Sequence, residues 1–274
     1  MRLSTIIMLS LTVSVPLVGC GDDDTEGTGG GTTTTSTATT SSSSSTGGQG
    51  GSTTSTTSAG GTGGIGGMDP FLCETAREQA IGPVAMASTG EVTILSDDGG
   101  DRELYVDASA GGFQGASTNP WIYLDLGTAT RVDIDDFTSF VDDSWDIAIK
   151  RVGWRSNSVD SGPGAAGVAW LDGATFENVT LQDAQNATLA QENWFDDMCE
   201  YETDQTGALI TSFGTWYDYN GQTMQLTPKA GVYVVQGTDG TSYFKLEIID
   251  YYANPDGSIG GLTSGRYLLR LQSL

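Results

Sequence analysis

Residues 21–67 are built almost only from Gly, Ser, Thr and Ala, and no other feature limits the fold of this chain so strongly. Ile65 is the single large apolar residue of the stretch. Such a segment cannot bury enough apolar surface to offset the entropy lost on ordering it. We therefore expect a disordered tether over 20–67, and a coil of this length spans about 40 Å root-mean-square. The folded part is then 68–274, which is long enough for one packed domain.

Residues 1–19 have the plan of an export signal. Arg2 supplies a basic start, and the apolar stretch that follows is too short and too rich in Ser and Thr for a membrane span. Leu17-Val18-Gly19-Cys20 resembles the lipobox of bacterial lipoproteins. That resemblance implies a lipoprotein signal peptide over 1–19, cleavage before Cys20 and lipidation of the Cys20 sulfur. The alternative is an ordinary secretory signal with an incidental cysteine.

The 68–274 region is strongly acidic and lacks histidine. With Arg2 and the four acidic residues of the tether set aside, 10 Lys and Arg stand against 31 Asp and Glu, a net charge of −21. Nucleic acid requires a basic footprint, so it is not an expected partner. The chain has 0 His, which removes Ser-His-Asp triads, HExxH metalloprotease sites and His-ligated haem. We predict no catalytic residues, no metal site and no enzymatic activity.

Cys73 and Cys199 are the cysteines that remain once Cys20 is lipidated. An even pair in an oxidising compartment predicts a disulfide, which would join the start of the domain to its middle. The spacing of the two residues fits neither a CxxC redox motif nor a zinc site. Two free buried thiols are the alternative.

The apolar pattern predicts a mostly β domain of antiparallel sheets with one or two short helices. Asp69-Pro70 begins a helix that Gly82-Pro83 ends, and 181–198 is the candidate second helix. Strands are predicted where apolar residues alternate, over 91–96, 103–108, 121–127, 145–150, 231–236, 242–250 and 266–271.

Alternation also assigns side chains to faces. Trp145 is predicted to point inward with Ile147 and Ile149, while Asp146 and Lys150 lie opposite. In the last hairpin the predicted inward residues are Phe244, Leu246 and Ile248. The Ser- and Gly-rich run 161–167 is predicted to be a mobile loop.

Several motifs, taken in order, resemble those of one family. SWDIAIKR at 144–151, WRSNS at 154–158 and SGPGAAG at 161–167 resemble the central signature of HmuY-like lipoproteins. GVYVV at 231–235, TDG at 238–240 and YFKLEI at 243–248 are similar to the last hairpin of that family, and GRYL at 265–268 also fits. The resemblance implies an HmuY-like all-β fold over most of 100–274.

The founding members of that family capture haem and pass it to an outer-membrane receptor, and two axial side chains hold the haem. The first histidine ligand of the family falls at Lys150, and this chain has no histidine elsewhere. Some relatives use pairs of methionines, which makes Met198 and Met224 the further candidate ligands, with Met86 before the strand. The alternative interpretations are a solvent-facing strand lysine at Lys150 and core-filling methionines.

Two hypotheses of function follow. The first is a lipid-anchored surface binding protein of the HmuY type, which takes haem or a porphyrin through non-histidine ligands and whose partners are haem or a haemoprotein and an outer-membrane receptor. The second is a cofactor-free surface interaction or structural lipoprotein on the same scaffold. In both, the lipid is the membrane contact. Gly21, rather than Asp, after Cys20 favours the outer membrane or cell surface of a Gram-negative-type envelope.

Overall fold

The computed structural model describes residues 73–205 and 207–274. The predicted signal peptide, Cys20, the predicted tether and the predicted helix start at Asp69-Pro70 lie outside the described residues. The described strands are β1 (Val92–Asp98), β2 (Asp101–Asp107), β3 (Ile122–Asp125), β4 (Thr130–Val132), β5 (Ile147–Lys150), β6 (Gly153–Ser156), β7 (Gly167–Asp172), β8 (Tyr217–Asn220), β9 (Gln225–Pro228), β10 (Gly231–Gln236), β11 (Tyr243–Asp250) and β12 (Arg266–Ser273). The described helices are α1 (Glu74–Ile81), α2 (Gly112–Gly115) and α3 (Leu181–Asn186). Among these, no helix has the length and apolar character that a bilayer crossing requires.

Two antiparallel sheets form the body of this region. The larger has the strand order β1-β2-β12-β11-β10-β7 and the smaller β4-β3-β5-β6, while β8 and β9 form a separate hairpin. One hydrophobic cluster takes side chains from both sheets, such as Leu246 and Leu269 from the larger and Ile147 and Ile149 from the smaller. Each sheet therefore buries one face against the other. The predicted fold class is confirmed.

The last hairpin follows the sequence closely. β10 spans the predicted residues and β11 begins one residue later than predicted. Phe244, Leu246 and Ile248 lie in the shared core, as alternation predicts. Lys245 on the opposite face is also buried, because its Nζ donates to the Phe176 carbonyl at 2.8 Å and stands 4.5 Å from the centre of that ring.

Trp145 does not share a face with Ile147 and Ile149, and that prediction is wrong. β5 begins only at Ile147, so the strand alternation does not extend back to Trp145. The indole packs in a second cluster on the outer face of the smaller sheet, with Tyr123 and Ala148. Both faces of this sheet are therefore buried.

Asp146 is also buried, although alternation places it on an exposed face. Its Oδ2 accepts a hydrogen bond from the Leu126 N–H at 2.7 Å, and its Oδ1 accepts one from the Thr238 N–H at 2.8 Å. Burial raises the pKa of this carboxyl, and the two backbone donors oppose that shift. The carboxylate joins the end of β3 to the turn of the last hairpin.

Two further predictions differ from the structure. The helix predicted over 181–198 ends at Asn186, because Ala190 then forms a bridge with Val168 in β7. Tertiary pairing overrides the helical pattern there. The run 161–167 is packed and not an open loop: a Cβ at Gly164 would stand 1.9 Å from the Thr238 Oγ1.

The predicted disulfide is present. Cys73, just before α1, is bonded to Cys199 with the two Cα atoms 5.3 Å apart. The Tyr201 hydroxyl adds a second link by donating to the Ala76 carbonyl at 2.9 Å. α1 ends at Gly82, whose φ of +56° is in the left-handed region. Helix α1 and the side chains of Trp194, Phe195 and Leu209 thus cover the outer face of the smaller sheet.

Arg155 from β6 lies fully buried beneath this cover. Its Nη1 donates to the carbonyl and hydroxyl of Ser161, and its Nη2 donates to the hydroxyls of Tyr123 and Ser139. The Tyr123 hydroxyl in turn donates to the Asp136 Oδ1 at 2.8 Å. Burial raises the pKa of Tyr123, so its hydroxyl stays protonated and bridges the cation and the carboxylate. The rings around the guanidinium belong to Trp121, Tyr123, Phe140 and Trp145.

Candidate ligand-binding site

The turn between β5 and β6 is held in an unusual backbone conformation. Arg151 has a φ of +51°, in the left-handed region that residues with side chains rarely adopt. Its N–H donates to the Ala108 carbonyl at 2.8 Å, and its carbonyl accepts a hydrogen bond from the Tyr267 hydroxyl. These bonds fix the turn to the larger sheet. Strain of this kind is common at ligand sites.

The turn is cationic in an acidic domain. Lys150 is half-buried, and neither Lys150 nor Arg151 has an ion pair among the described residues. Burial lowers the pKa of Lys150, with Asp136 opposing and Arg155 adding to that shift. Every other basic side chain of the described residues forms an ion pair or donates a hydrogen bond to a carbonyl. These residues are Arg77, Arg102, Arg131, Arg155, Lys229, Lys245, Arg266 and Arg270.

A cavity of about 250 Å³ opens beside this turn. Its walls include Val152 from the turn, Trp154 from β6, Ile210 and, at the start of β8, Tyr217. The indole N–H of the adjacent Trp216 donates to the Val152 carbonyl at 2.9 Å, which ties the start of β8 to the turn. The walls combine these apolar side chains with the polar Asp204, Thr211 and Thr215, so the cavity is of mixed polarity.

Two buried tyrosines, Tyr251 and Tyr267, interact with Arg151. Burial raises the pKa of Tyr251 and Tyr267, Tyr217 adds to both shifts, and Arg151 opposes them. The Arg151 Nη1 is buried and has no hydrogen bond within the described part of the chain. The Tyr251 hydroxyl, with the Ser264 hydroxyl beside it, has none of normal geometry there either. Arg151 and Tyr251 therefore each have a buried polar atom without a hydrogen bond among the described residues.

The predicted haem ligands lie apart from this cavity. Met198 and Met224 are 74% and 76% exposed, so they are surface residues and not core fillers. Met198 precedes the disulfide, and Met224 lies in the turn of the β8–β9 hairpin. Neither of them lines the cavity, nor does Lys150, which is half-buried and not fully solvent-facing. Haem ligation by these three residues stays a prediction.

Tyr217 is the residue that sequence reasoning missed. It belongs to a short aromatic run, Trp216-Tyr217-Asp218-Tyr219, that no predicted strand includes. That run is the available signal, since alternating aromatics favour a strand with one covered face. What brings Tyr217 to the cavity is the bond between Trp216 and Val152, which are 64 residues apart. No local pattern contains that contact.

The comparisons with known proteins identify the family. The family model described as HmuY protein matches residues 117–264, more than half of the chain. The chain belongs to the HmuY family. This is a family of binding proteins. The matched residues include the β5–β6 turn and the aromatic run 216–219, in which Tyr217 lines the cavity. The resemblance predicted from the motifs is confirmed.

Solved structures give weaker likenesses. A candidate lipoprotein from Bacteroides fragilis NCTC 9343 is 18% identical, with a TM-score of 0.41, over 65% of this chain and 92% of that one. Apo PinO from Porphyromonas gingivitis is 14% identical, with a TM-score of 0.29, over 56% of this chain and 90% of that one. Both TM-scores are too low to bear on a ligand or a site. No curated protein matches the chain.

Proposed function

We propose that this HmuY-family chain is a lipid-anchored surface binding protein that captures haem or a related porphyrin without histidine ligands. The family match, which spans the cationic β5–β6 turn, carries the proposal. The proposed arrangement is a signal peptide over 1–19, a lipidated tether over 20–67 and a binding domain over 68–274. Its location is the outer membrane or cell surface, and an outer-membrane receptor is the expected recipient of the ligand.

The positive charge of the turn suits the carboxylates of a porphyrin. Trp154 and Tyr217 offer aromatic walls, and Lys150 and Arg151 supply positive charge for the ligand's carboxylates. The cavity of about 250 Å³ is smaller than the roughly 300–1,000 Å³ of typical ligand sites, so it does not enclose a whole porphyrin. When bound, haem would supply an iron that protein donors can ligate.

A haemin titration tests the capture of haem. Haemin added at micromolar concentration to the full chain, purified in detergent, is expected to shift its Soret band. The double variant Met198→Ala/Met224→Ala and the variant Lys150→Gln test the predicted ligands. A shift that survives in both excludes these ligands but leaves capture intact. An unchanged spectrum with the wild-type chain argues against haem capture altogether.

The anchor has its own test. Cys20→Ser is expected to move the protein from the membrane fraction to the soluble fraction, because it removes the thiol that carries the lipid. Each buried acyl CH₂ contributes about 0.8 kcal/mol, so losing the acylated cysteine removes most of the membrane affinity. Cys73→Ser/Cys199→Ser is the control, since it removes two cysteines outside the lipobox. A Cys20→Ser protein that stays with the membrane contradicts the anchor.

One observation favours the cofactor-free alternative. Phe113 is 87% exposed, and the Arg151 guanidinium of the β5–β6 turn stands 6.0 Å from its ring. Aromatic residues and arginine are enriched at protein–protein interfaces. An unchanged haemin spectrum would leave this surface as the functional one.

A further inference from the structure

We propose that the outer face of the larger sheet carries a further binding site, which takes a small amphipathic amine, that is, an apolar body with one protonated amino group. The site is a cavity of about 490 Å³ whose lining runs from the end of β7 to helix α3. It goes beyond the proposed function, because the β5–β6 turn belongs to the smaller sheet. The inference rests on the floor of the cavity, its one charged residue and the charges around it.

The floor of this cavity is apolar. Leu171, Ala174, Val179 and Ala187 line it, and each belongs to or packs against the hydrophobic cluster that contains Val234 of β10. That cluster lies on the face of the larger sheet that points away from the smaller sheet. Leu171, Ala174 and Ala187 are only partly buried, and the cavity volume falls within the roughly 300–1,000 Å³ of typical small-ligand sites. The floor therefore has apolar surface left for a ligand to cover.

Asp183 is the one charged residue of the lining. Its Oδ2 accepts hydrogen bonds from the Thr180 N–H at 2.9 Å and from the Thr180 hydroxyl at 2.6 Å, within the capping box that begins α3. These bonds lower the pKa of the carboxyl, so it is ionised at neutral pH. Within the described part of the chain, its Oδ1 accepts no hydrogen bond and the carboxylate forms no ion pair. The cavity thus has a negative charge in a fixed place with one oxygen free.

The basic side chains of this face are engaged elsewhere. Lys245 and Arg270 stand over the Phe176 ring, at 4.5 and 4.2 Å from its centre. Lys245 donates to the Phe176 carbonyl, and Arg270 pairs with Glu177 at 2.7 Å. Neither contributes to the pKa shift of Asp183. A protonated amine would supply the cation that Asp183 does not find among the described residues, and a ligand with its own carboxylates would be repelled.

Two carboxamides complete the rim of the cavity. Asn178 and Asn186 line it, and both residues are exposed. Neither side chain forms a hydrogen bond with other described residues. A protonated primary amine has three N–H donors and no acceptor, so the Asp183 Oδ1 and the two amide oxygens offer it one acceptor each. This set favours a primary amine over a quaternary ammonium group, which has no N–H to donate.

The test uses the full chain in lipid nanodiscs, with the methyl groups of alanine and valine labelled for NMR. Phenethylamine, phenethyl alcohol and phenylpropionate share one apolar body and differ in the group at its end, which is cationic, neutral or anionic at neutral pH. We expect phenethylamine to shift the methyl signals of Ala174, Val179 and Ala187 in a saturable way. The alcohol should bind about two- to fivefold more weakly, because it cannot form the exposed ion pair, and the anion more weakly still.

Two variants probe the charge and the floor, each with a matched control. Asp183→Asn is expected to bring the amine down to the affinity of the alcohol, whereas Asp172→Asn, which alters an exposed carboxylate outside the lining, should not. Ala187→Leu fills the cavity and is expected to abolish the shifts at Val179. Ala190→Leu should keep them, because Ala190 is exposed and lies outside the lining.

The wild-type titrations decide the question even if Asp183→Asn or Ala187→Leu does not fold. Phenethylamine that gives no saturable shifts at the cavity overturns the site. Equal affinities for the amine and the alcohol, or tighter binding of phenylpropionate, overturn the assignment to amines. Haemin plays no part in these titrations, so this site and the capture of haem are tested separately.

Discussion

Replacing Arg155 with alanine is expected to lower the free energy of unfolding by about 3–5 kcal/mol, a large part of the stability of a domain. Arg155 is fully buried and donates to Ser161, Tyr123 and Ser139. Its loss leaves these acceptors unpaired in a low-dielectric interior and leaves Asp136 without the cation that it reaches through Tyr123. Denaturant unfolding of wild type and variant measures the difference.

Arg102→Ala is the matched control for that experiment. Arg102 pairs with Asp97 at 3.0 Å, but the two side chains are 25% and 45% exposed, so this variant should lose at most about 1 kcal/mol. Arg155→Met adds a second comparison, since it keeps most of the packing and removes the charge. An Arg155→Ala protein as stable as Arg102→Ala would mean that the guanidinium contributes little to the fold.

Removing both bridging cysteines is the second large effect. The disulfide joins residues separated by 126 positions, and the chain-entropy model assigns a loop of this size about 5 kcal/mol. We expect Cys73→Ser/Cys199→Ser to lose that amount. Because the bridge fastens α1 to the segment over the smaller sheet, amide exchange should quicken first in α1 and around Tyr201. Urea unfolding and hydrogen exchange measure the two effects.

Cys20→Ser serves as the control here, because it removes a cysteine and keeps the bridge. Its unfolding should match that of the wild type in the same detergent. Treating the wild type with a reductant should reproduce the double variant. If exchange quickens equally in β10 and β11, the bridge stabilises the whole domain and does not act chiefly on the cover over Arg155.

The sequence predicts strands well where both alternation and turn residues are present. β10 and β11 are found almost at the predicted bounds, because a glycine-bearing loop separates two clear alternations. Alternation fails at Trp145 and Asp146 because both faces of the smaller sheet are buried, so a period of two no longer separates core from solvent. The helix over 181–198 fails because Ala190 pairs with a strand distant in sequence.

Less of the candidate site could be predicted from the sequence. The signature motifs locate the β5–β6 turn, since that turn directly follows the SWDIAIKR strand. The cavity beside it depends on contacts between Val152 and Trp216 and between Arg151 and Tyr267, each joining distant parts of the chain. Such contacts produce no periodic pattern in the sequence, so the position of Tyr217 near the turn is seen only in the structure.

The placement of the basic side chains has a consequence for how copies of this domain approach each other. Nearly all of the basic side chains are buried or paired, so the outward charge of the domain is carried by unpaired carboxylates. Two copies would repel each other at separations up to about 8 Å between their surfaces at physiological ionic strength. Copies would therefore stay dispersed, and within the described residues the cationic turn would remain a place that attracts an anionic ligand.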